Sequence, residues 1–254
     1  MVSGGFSKRM GKINQSETSS EDLNQTQHSS IRTNQTGKGA GDPLRVRPDL
    51  SNYRSKADPE SPHVQNMGQD VFEKALNSEE FNFDSQCLTS ICLEQADIKS
   101  LSFVESELIN FVIRDASVPN ANFANASCRG LNVDDVDLEN SNFDHADLNG
   151  AIFKNTGLKK ASMKDCDLYR SSFLDADLTL ADFSGSDMGL STFKDVELAR
   201  ASFRDADLTG ASFREVHFED TDFSNASMED VSVENCEGTV TINGQQMKLE
   251  ELLG

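Results

Sequence analysis

From Phe83 to Val233 nearly every fifth residue is large and apolar, running Phe83, Leu88, Leu93, Ile98, Phe103, Leu108, Ile113, Val118 and Phe123 and then onward in the same phase. Two residues before each stands a second position that is mostly small, as at Ala116, Ala121, Ala126, Ala146, Ala161, Ala181 and Ala206. A period of five matches neither the about 3.6 of a helix nor the about 2 of a strand, so each unit must point two side chains inward and turn a corner. The pattern predicts a solenoid.

The phenylalanines set the number of units per coil. Phe103, Phe123, Phe143, Phe183, Phe203 and Phe223 recur at a spacing of twenty with Met163 filling the gap, and Phe153, Phe173, Phe193 and Phe213 form a second series halfway between. Four units per coil accounts for both series, and all ten phenylalanines are expected in the core. On the third face the two inward columns trade volume: Ile91, Phe111 and Leu131 precede the moderate Leu93, Ile113 and Val133, whereas Ala151, Ser171, Ser191 and Ala211 precede phenylalanine. Inward neighbours in a dense interior have to compensate in this way.

Units such as Ala146-Asp147-Leu148-Asn149-Gly150 and Ala206-Asp207-Leu208-Thr209-Gly210 resemble the pentapeptide-repeat family, whose pattern is matched over residues 81–236. The resemblance implies an all-β fold, a right-handed four-sided β-helix. At a strand spacing of about 4.8 Å its eight or so coils make a rod about 40 Å tall.

The ends of a solenoid need covers. Residues 69–80 are expected to hold a short amphipathic capping helix, with Val71, Phe72, Ala75 and Leu76 on one side. The β-helix is expected over 81–238. Residues 239–254 then read as a cap: a strand from Thr239, an Asn243-Gly244 turn and a helical stub from Met247 to Leu253, whose leucines offer a homodimer contact of the kind family members make. Residues 1–68 read as a disordered polar tail, poor in bulky apolar residues and carrying four of the five prolines.

Charge divides along the same boundary. The 254-residue chain has a formal charge of −20, with 29 Asp and Glu against 12 Lys and Arg over residues 81–236, but 7 against 9 over residues 1–68. No apolar run is long enough for a membrane span. The first sixteen residues hold Lys8, Arg9 and Lys12 and no acid, which resembles a transit peptide or the uncleaved signal of an injected bacterial effector. The expected location is cytoplasmic, or a host cell reached without a cleaved signal.

Catalytic chemistry has little to stand on. His145 and His217 fall at outward positions without a second ligand at metal spacing, and Cys128, Cys166 and Cys236 fall in inward columns. Cys87 and Cys92 are expected to point outward on adjacent sides, too far apart for a disulfide. No catalytic residue, metal or cofactor is expected, and a filled rod lacks the cleft an enzyme needs.

The surface carries two acidic columns. Asp147, Asp167, Asp187 and Asp207 form one line on the second face, and Asp115, Asp135, Asp175, Asp195 and Glu215 form another at a corner of the third, interrupted by Asn155. Asp and Asn bond nearby turn backbone, which suits the first column; the second occupies a site on which the turn makes no evident demand. The expected function is a non-enzymatic acidic scaffold that binds a protein partner, in the form of a secreted bacterial effector. The alternative is a DNA mimic that competes for a topoisomerase or other DNA-binding protein, as the family resemblance implies for relatives that protect gyrase. Neither reading has the chain bind nucleic acid directly. Its unbroken repeats and long polar tail differ from those relatives.

Overall fold

The computed structural model describes residues 81–248, together with 66–68, 70, 72, 73 and 76. Backbone pairing repeats at an offset of twenty from Asn82 to Gly238. Asn82 bridges Ser102, Ser102 bridges Asn122 and Asn122 bridges Asn142, always parallel, so one coil is four pentapeptides. The third face is the most regular wall, a single parallel sheet of eight strands running in order from Cys92–Glu94 to Ser232–Glu234.

Both inward columns are buried as the pattern requires. Phe103, Phe123, Phe143, Phe183 and Phe203 on the first face and Phe153, Phe173 and Phe193 on the third have no exposed surface, with Phe213 and Phe223 nearly so. Rings within each stack lie nearly parallel at the coil spacing: Phe123–Phe143 4.7 Å, Phe153–Phe173 5.1 Å and Phe193–Phe213 4.7 Å between centroids. The two stacks meet edge to face, with Phe143–Phe153 at 85° and Phe203–Phe213 at 89°. Such pairs contribute about 0.5–1.5 kcal/mol each beyond their buried area. The volume trade on the third face is real, since Phe111 beside Ile113 and Ser191 beside Phe193 are all buried.

The corners explain what the sequence pattern alone did not. The second residue after the large one adopts a left-handed backbone with φ near +55° in nearly every unit, including Asp115, Asp135, Asn155, Asp175, Asp195 and Glu215. The corner position was read as free of backbone demands; it is not. Left-handed backbone favours glycine, asparagine and aspartate, whose short polar side chains tolerate it. Gly130, Gly150, Gly185 and Gly210 occupy the same kind of corner.

Both ends depart from the repeat. Asn66–Met67, within the stretch read as tail, pair in parallel with Cys87–Leu88 beneath the first coil. Asp70, Phe72, Glu73 and Leu76 are helical. The buried Phe72 ring sits 4.7 Å from Phe83 and meets Phe111 edge-on at 6.1 Å, closing the Phe stack from below. At the other end Glu237–Ile242 pairs in parallel with His217–Asp222, but the offset falls from twenty at Phe218–Gly238 to nineteen at Thr221–Val240. Gly238 permits this: at φ +116° any side chain would drive its Cβ to 1.4 Å from the Phe218 carbonyl oxygen. The chain then turns at Asn243-Gly244 and returns as the antiparallel strand Gln245–Lys248. Met247 and Lys248 were expected to open a helical stub; pairing with Val240 and Thr239 wins over their local pattern instead. Residues 1–65 and the leucines of the expected dimer contact, Leu249, Leu252 and Leu253, lie outside the described residues.

Candidate functional site: the acidic second face and its edge

Asp147, Asp167, Asp187 and Asp207 follow one another up the second face, bridged backbone to backbone. Each carboxylate accepts the amide hydrogen two residues on: Asn149 to Asp147 at 3.3 Å, Tyr169 to Asp167 at 3.1 Å, Gly189 to Asp187 at 3.1 Å and Thr209 to Asp207 at 3.0 Å. The turn therefore uses these side chains. It does not require their charge, because on the first face the same bond is made by neutral side chains, Ala124 N–H to Asn122 and Asp144 N–H to Asn142.

Compensation along the column is uneven. Arg129 pairs with Asp147 at 2.6 Å. Among the described residues no lysine, arginine or histidine nitrogen stands within 4.0 Å of Asp167 or Asp187. Burial first, and then the neighbouring Asp147 and Asp187 charges, push the Asp167 carboxyl above the ordinary carboxylate range, against the amide bond from Tyr169. The two acids of the equivalent first-face column behave oppositely. Burial pushes Asp182 and Asp222 up, but the Ser184 and Ser224 donors together with Lys164 and Arg204 outweigh it, and both sit below the ordinary value.

The upper part of the third-face corner column is screened by the column beside it. Lys194 reaches Asp195 at 3.2 Å and Arg214 reaches Glu215 at 3.7 Å, while Asn155 donates to Asp134 at 3.1 Å. Next to it charges alternate from coil to coil, Glu94 with Arg114 at 2.7 Å and Asp134 with Lys154 at 3.2 Å. The two candidate columns thus share a residue type and differ in setting: the corner acids suit a left-handed backbone, and Asp195 and Glu215 meet cations there, whereas on the second face Asp147 meets Arg129 and, among the described residues, Asp167 and Asp187 meet none within 4.0 Å.

An apolar edge borders the second-face column. Ile152 is 42% and Leu190 46% exposed. Leu190 takes a left-handed corner at φ +57°. Its Cδ2 lies 2.7 Å from where a Cβ on Gly210 would stand, and the Tyr169 ring lies 3.0 Å from the same point on Gly189. Each glycine, one coil on, lets the larger side chain lie along the wall. The missed signal was a spacing of twenty, Tyr169 to Gly189 and Leu190 to Gly210, in outward columns that the core pattern ignores.

Residues 134–203 match the family model described as "Pentapeptide repeat region", and residues 201–236 that described as "Pentapeptide repeats (8 copies)". Residues 134–236 belong to the pentapeptide-repeat family. No curated protein matches the chain. Among solved structures, this chain is similar to QnrB1, a plasmid-mediated fluoroquinolone resistance protein, at 16% identity over 56% of this chain and 91% of that one, TM-score 0.39. It is similar to HetL, involved in heterocyst differentiation regulation in the cyanobacterium Nostoc, at 18% identity over 67% and 94%, TM-score 0.25. A pentapeptide-repeat protein of the Arabidopsis thaliana thylakoid lumen aligns at 27% identity over 41% and 69%, TM-score 0.26.

Cys128 and Cys166 are fully buried, and burial raises both thiols far from the reactive range. Cys87, expected outward, is buried beside Thr89, and burial raises its thiol as well; Cys92 is partly exposed. His145 and His217 each face one carboxylate, Asp165 at 3.9 Å and Glu237 at 3.4 Å. Among the described residues no three His, Cys, Asp or Glu side chains are grouped to hold a metal, and no helix is long and apolar enough to cross a membrane.

Proposed function

We propose that this pentapeptide-repeat rod is a non-enzymatic scaffold that binds a protein partner through its acidic second face. One observation carries the reading: the turn role of the column is met elsewhere by Asn122 and Asn142 without charge, so four consecutive carboxylates at Asp147, Asp167, Asp187 and Asp207 impose repulsion that the fold does not require. A surface of this sign steers basic partners and repels acidic ones. The narrower form, an effector delivered into a host cell, rests on the acid-poor first sixteen residues.

DNA mimicry is the second reading, favoured by a single line of carboxylates with little cationic relief at the level of Asp167 and Asp187. The partner would then be a protein whose basic groove ordinarily holds a duplex.

Affinity capture by the full chain, run beside the variant Asp147→Asn, Asp167→Asn, Asp187→Asn and Asp207→Asn, tests both. A protein retained by the native rod and lost by the variant supports the scaffold, and displacement of that protein by duplex DNA selects mimicry. Identical capture by both rods overturns the assignment to the second face.

A further inference from the structure

We infer that the edge between the second and third faces, from Ile152 to Leu190, docks an amphipathic helix that carries a basic strip beside an apolar strip. The inference rests on the protein-binding reading and specifies the partner's chemistry.

Three apolar side chains climb this edge one coil at a time. Ile152 stands at the start of the third face, Tyr169 on the second face a coil above, and Leu190 at the corner a coil above that. Ile152 and Leu190 are among the most exposed large apolar residues of the described chain. Nothing in the fold asks for them. Ile152 lies in register with Asn132 below and Ser172 above, and the corner of Leu190 is taken by Asn110, Gly130, Gly150 and Gly210 in other coils. The Tyr169 ring over Gly189 and the Leu190 tip over Gly210 make a shelf rather than isolated knobs.

Asp167 and Asp187 run beside this shelf, two residues of extended backbone or about 7 Å away. A partner that covers the apolar shelf must also face these carboxylates, so its complement is cationic on one flank. Arg170, on the corner one coil below Leu190, stacks 5.3 Å from the Tyr169 ring centroid and covers part of that ring. From the second face toward the edge the order is acid and then apolar, and the complementary strips are base and then apolar.

The vertical repeat selects a helix. Successive coils are 4.7–5.1 Å apart, as the stacked rings show. A helix rises about 1.5 Å per residue, so residues three apart are separated by about 4.5 Å and residues seven apart by about 10.5 Å, close to one and two coils. Alternate residues of a strand are about 6.6 Å apart and lose step within two coils. A duplex-binding groove offers cations but no apolar counterpart to Ile152 and Leu190, so the shelf favours the helix over mimicry.

Fluorescence anisotropy with the full chain tests this. The probe is a labelled 18-residue helical peptide with arginines in one strip at spacings of three and four and leucines in the adjacent strip. Its control is a scramble of equal composition and charge. The variant Ile152→Ser with Leu190→Asn installs residues that other coils already use at these positions, Ser172 and Asn110, so it should melt no lower than the native chain. The expected result is at least tenfold tighter binding of the patterned peptide than of the scramble by the native chain, and loss of that preference in the variant. Equal binding of both peptides, or full preference retained by the variant, overturns the inference. So does concentration-dependent self-association of the native chain that the variant abolishes, because a second copy would then occupy the edge. If the preference is absent while the four-asparagine variant still loses a captured partner, helix docking fails and the acidic-face scaffold stands.

Discussion

The first and second faces use the same position of the repeat for the same backbone bond, and they staff it differently. On the first face the column reads Asn82, Ser102, Asn122, Asn142, Ser162, Asp182, Ser202 and Asp222, with its two acids separated by a serine and each joined to a cation. On the second face four aspartates follow without interruption, and Asp167 titrates high where Asp182 and Asp222 titrate low. One fold therefore offers a built-in control: the first face shows what the turn needs, and the second shows what has been added to it.

The largest effect expected removes both faces together. Phe193→Asp buries a charge between Phe173 and Phe213 and forfeits a fully buried ring, a loss of more than about 4 kcal/mol. A thermal melt unchanged from the native chain would refute the stack.

Next comes conversion of the first face into the second. Asn142→Asp, Ser162→Asp and Ser202→Asp together place five acids in line. Like charges one coil apart repel by about 0.9 kcal/mol at the dielectric of water before salt screening, so stability should fall by about 2 kcal/mol. Denaturant melts at low and high salt measure this, and a loss that salt leaves unchanged would mean broken turn bonds instead.

The reverse change is smaller. Replacing the four second-face aspartates with asparagine keeps an acceptor for each turn amide and should raise the melting temperature by about 2–5 °C. A fall would show that the carboxylates are held by interactions worth more than their repulsion.

Acidity should separate the faces further. Native Asp167 binds its proton more tightly than the unfolded chain does, so its burden is full at neutral pH. As pH falls from neutrality through its raised value toward the ordinary carboxylate range, stability is regained. Asp182 and Asp222 bind theirs less tightly; their contribution is present above the ordinary carboxylate range and is lost as pH falls through their lowered values. The difference between native and Asp167→Asn stabilities, measured across mildly acidic pH, should therefore shrink as pH drops, whereas the difference for Asp182→Asn should shrink only at lower pH. Identical profiles would erase the contrast.

The smallest effect is internal to the core. The Ser191 hydroxyl is buried without a hydrogen-bond partner among the described residues, unlike Ser186, which donates to the Met163 carbonyl at 2.6 Å. Ser191→Ala should stabilise by about 1 kcal/mol, and Ser186→Ala should not.

Core register was legible because burial acts on every coil alike: a side chain of the wrong size at Phe153 or Ala151 has no alternative place to go. Corner geometry was harder to see, because Lys160, Arg170 and Arg200 share it with Gly130 and Asn125, and a site that tolerates a long cation looks unconstrained. The acidic column was visible residue by residue. That its charge exceeds the need of the turn became visible only beside Asn122 and Asn142. Tyr169 over Gly189 stayed hidden because a contact between outward columns has no phase to betray it. At the C-terminal end Met247 followed its strand partner Val240, a choice made by pairing that its own neighbours do not encode.

The drop in offset from twenty to nineteen at Gly238 has a further consequence. Because every coil is parallel to the next, the top of such a rod is complementary to its own bottom, and two open rods would stack head to tail without a natural stopping point. The slipped register, the returning hairpin and the Phe72 plug spoil that match at both ends. A glycine without side-chain chemistry thereby helps make the two ends of the described rod unlike each other.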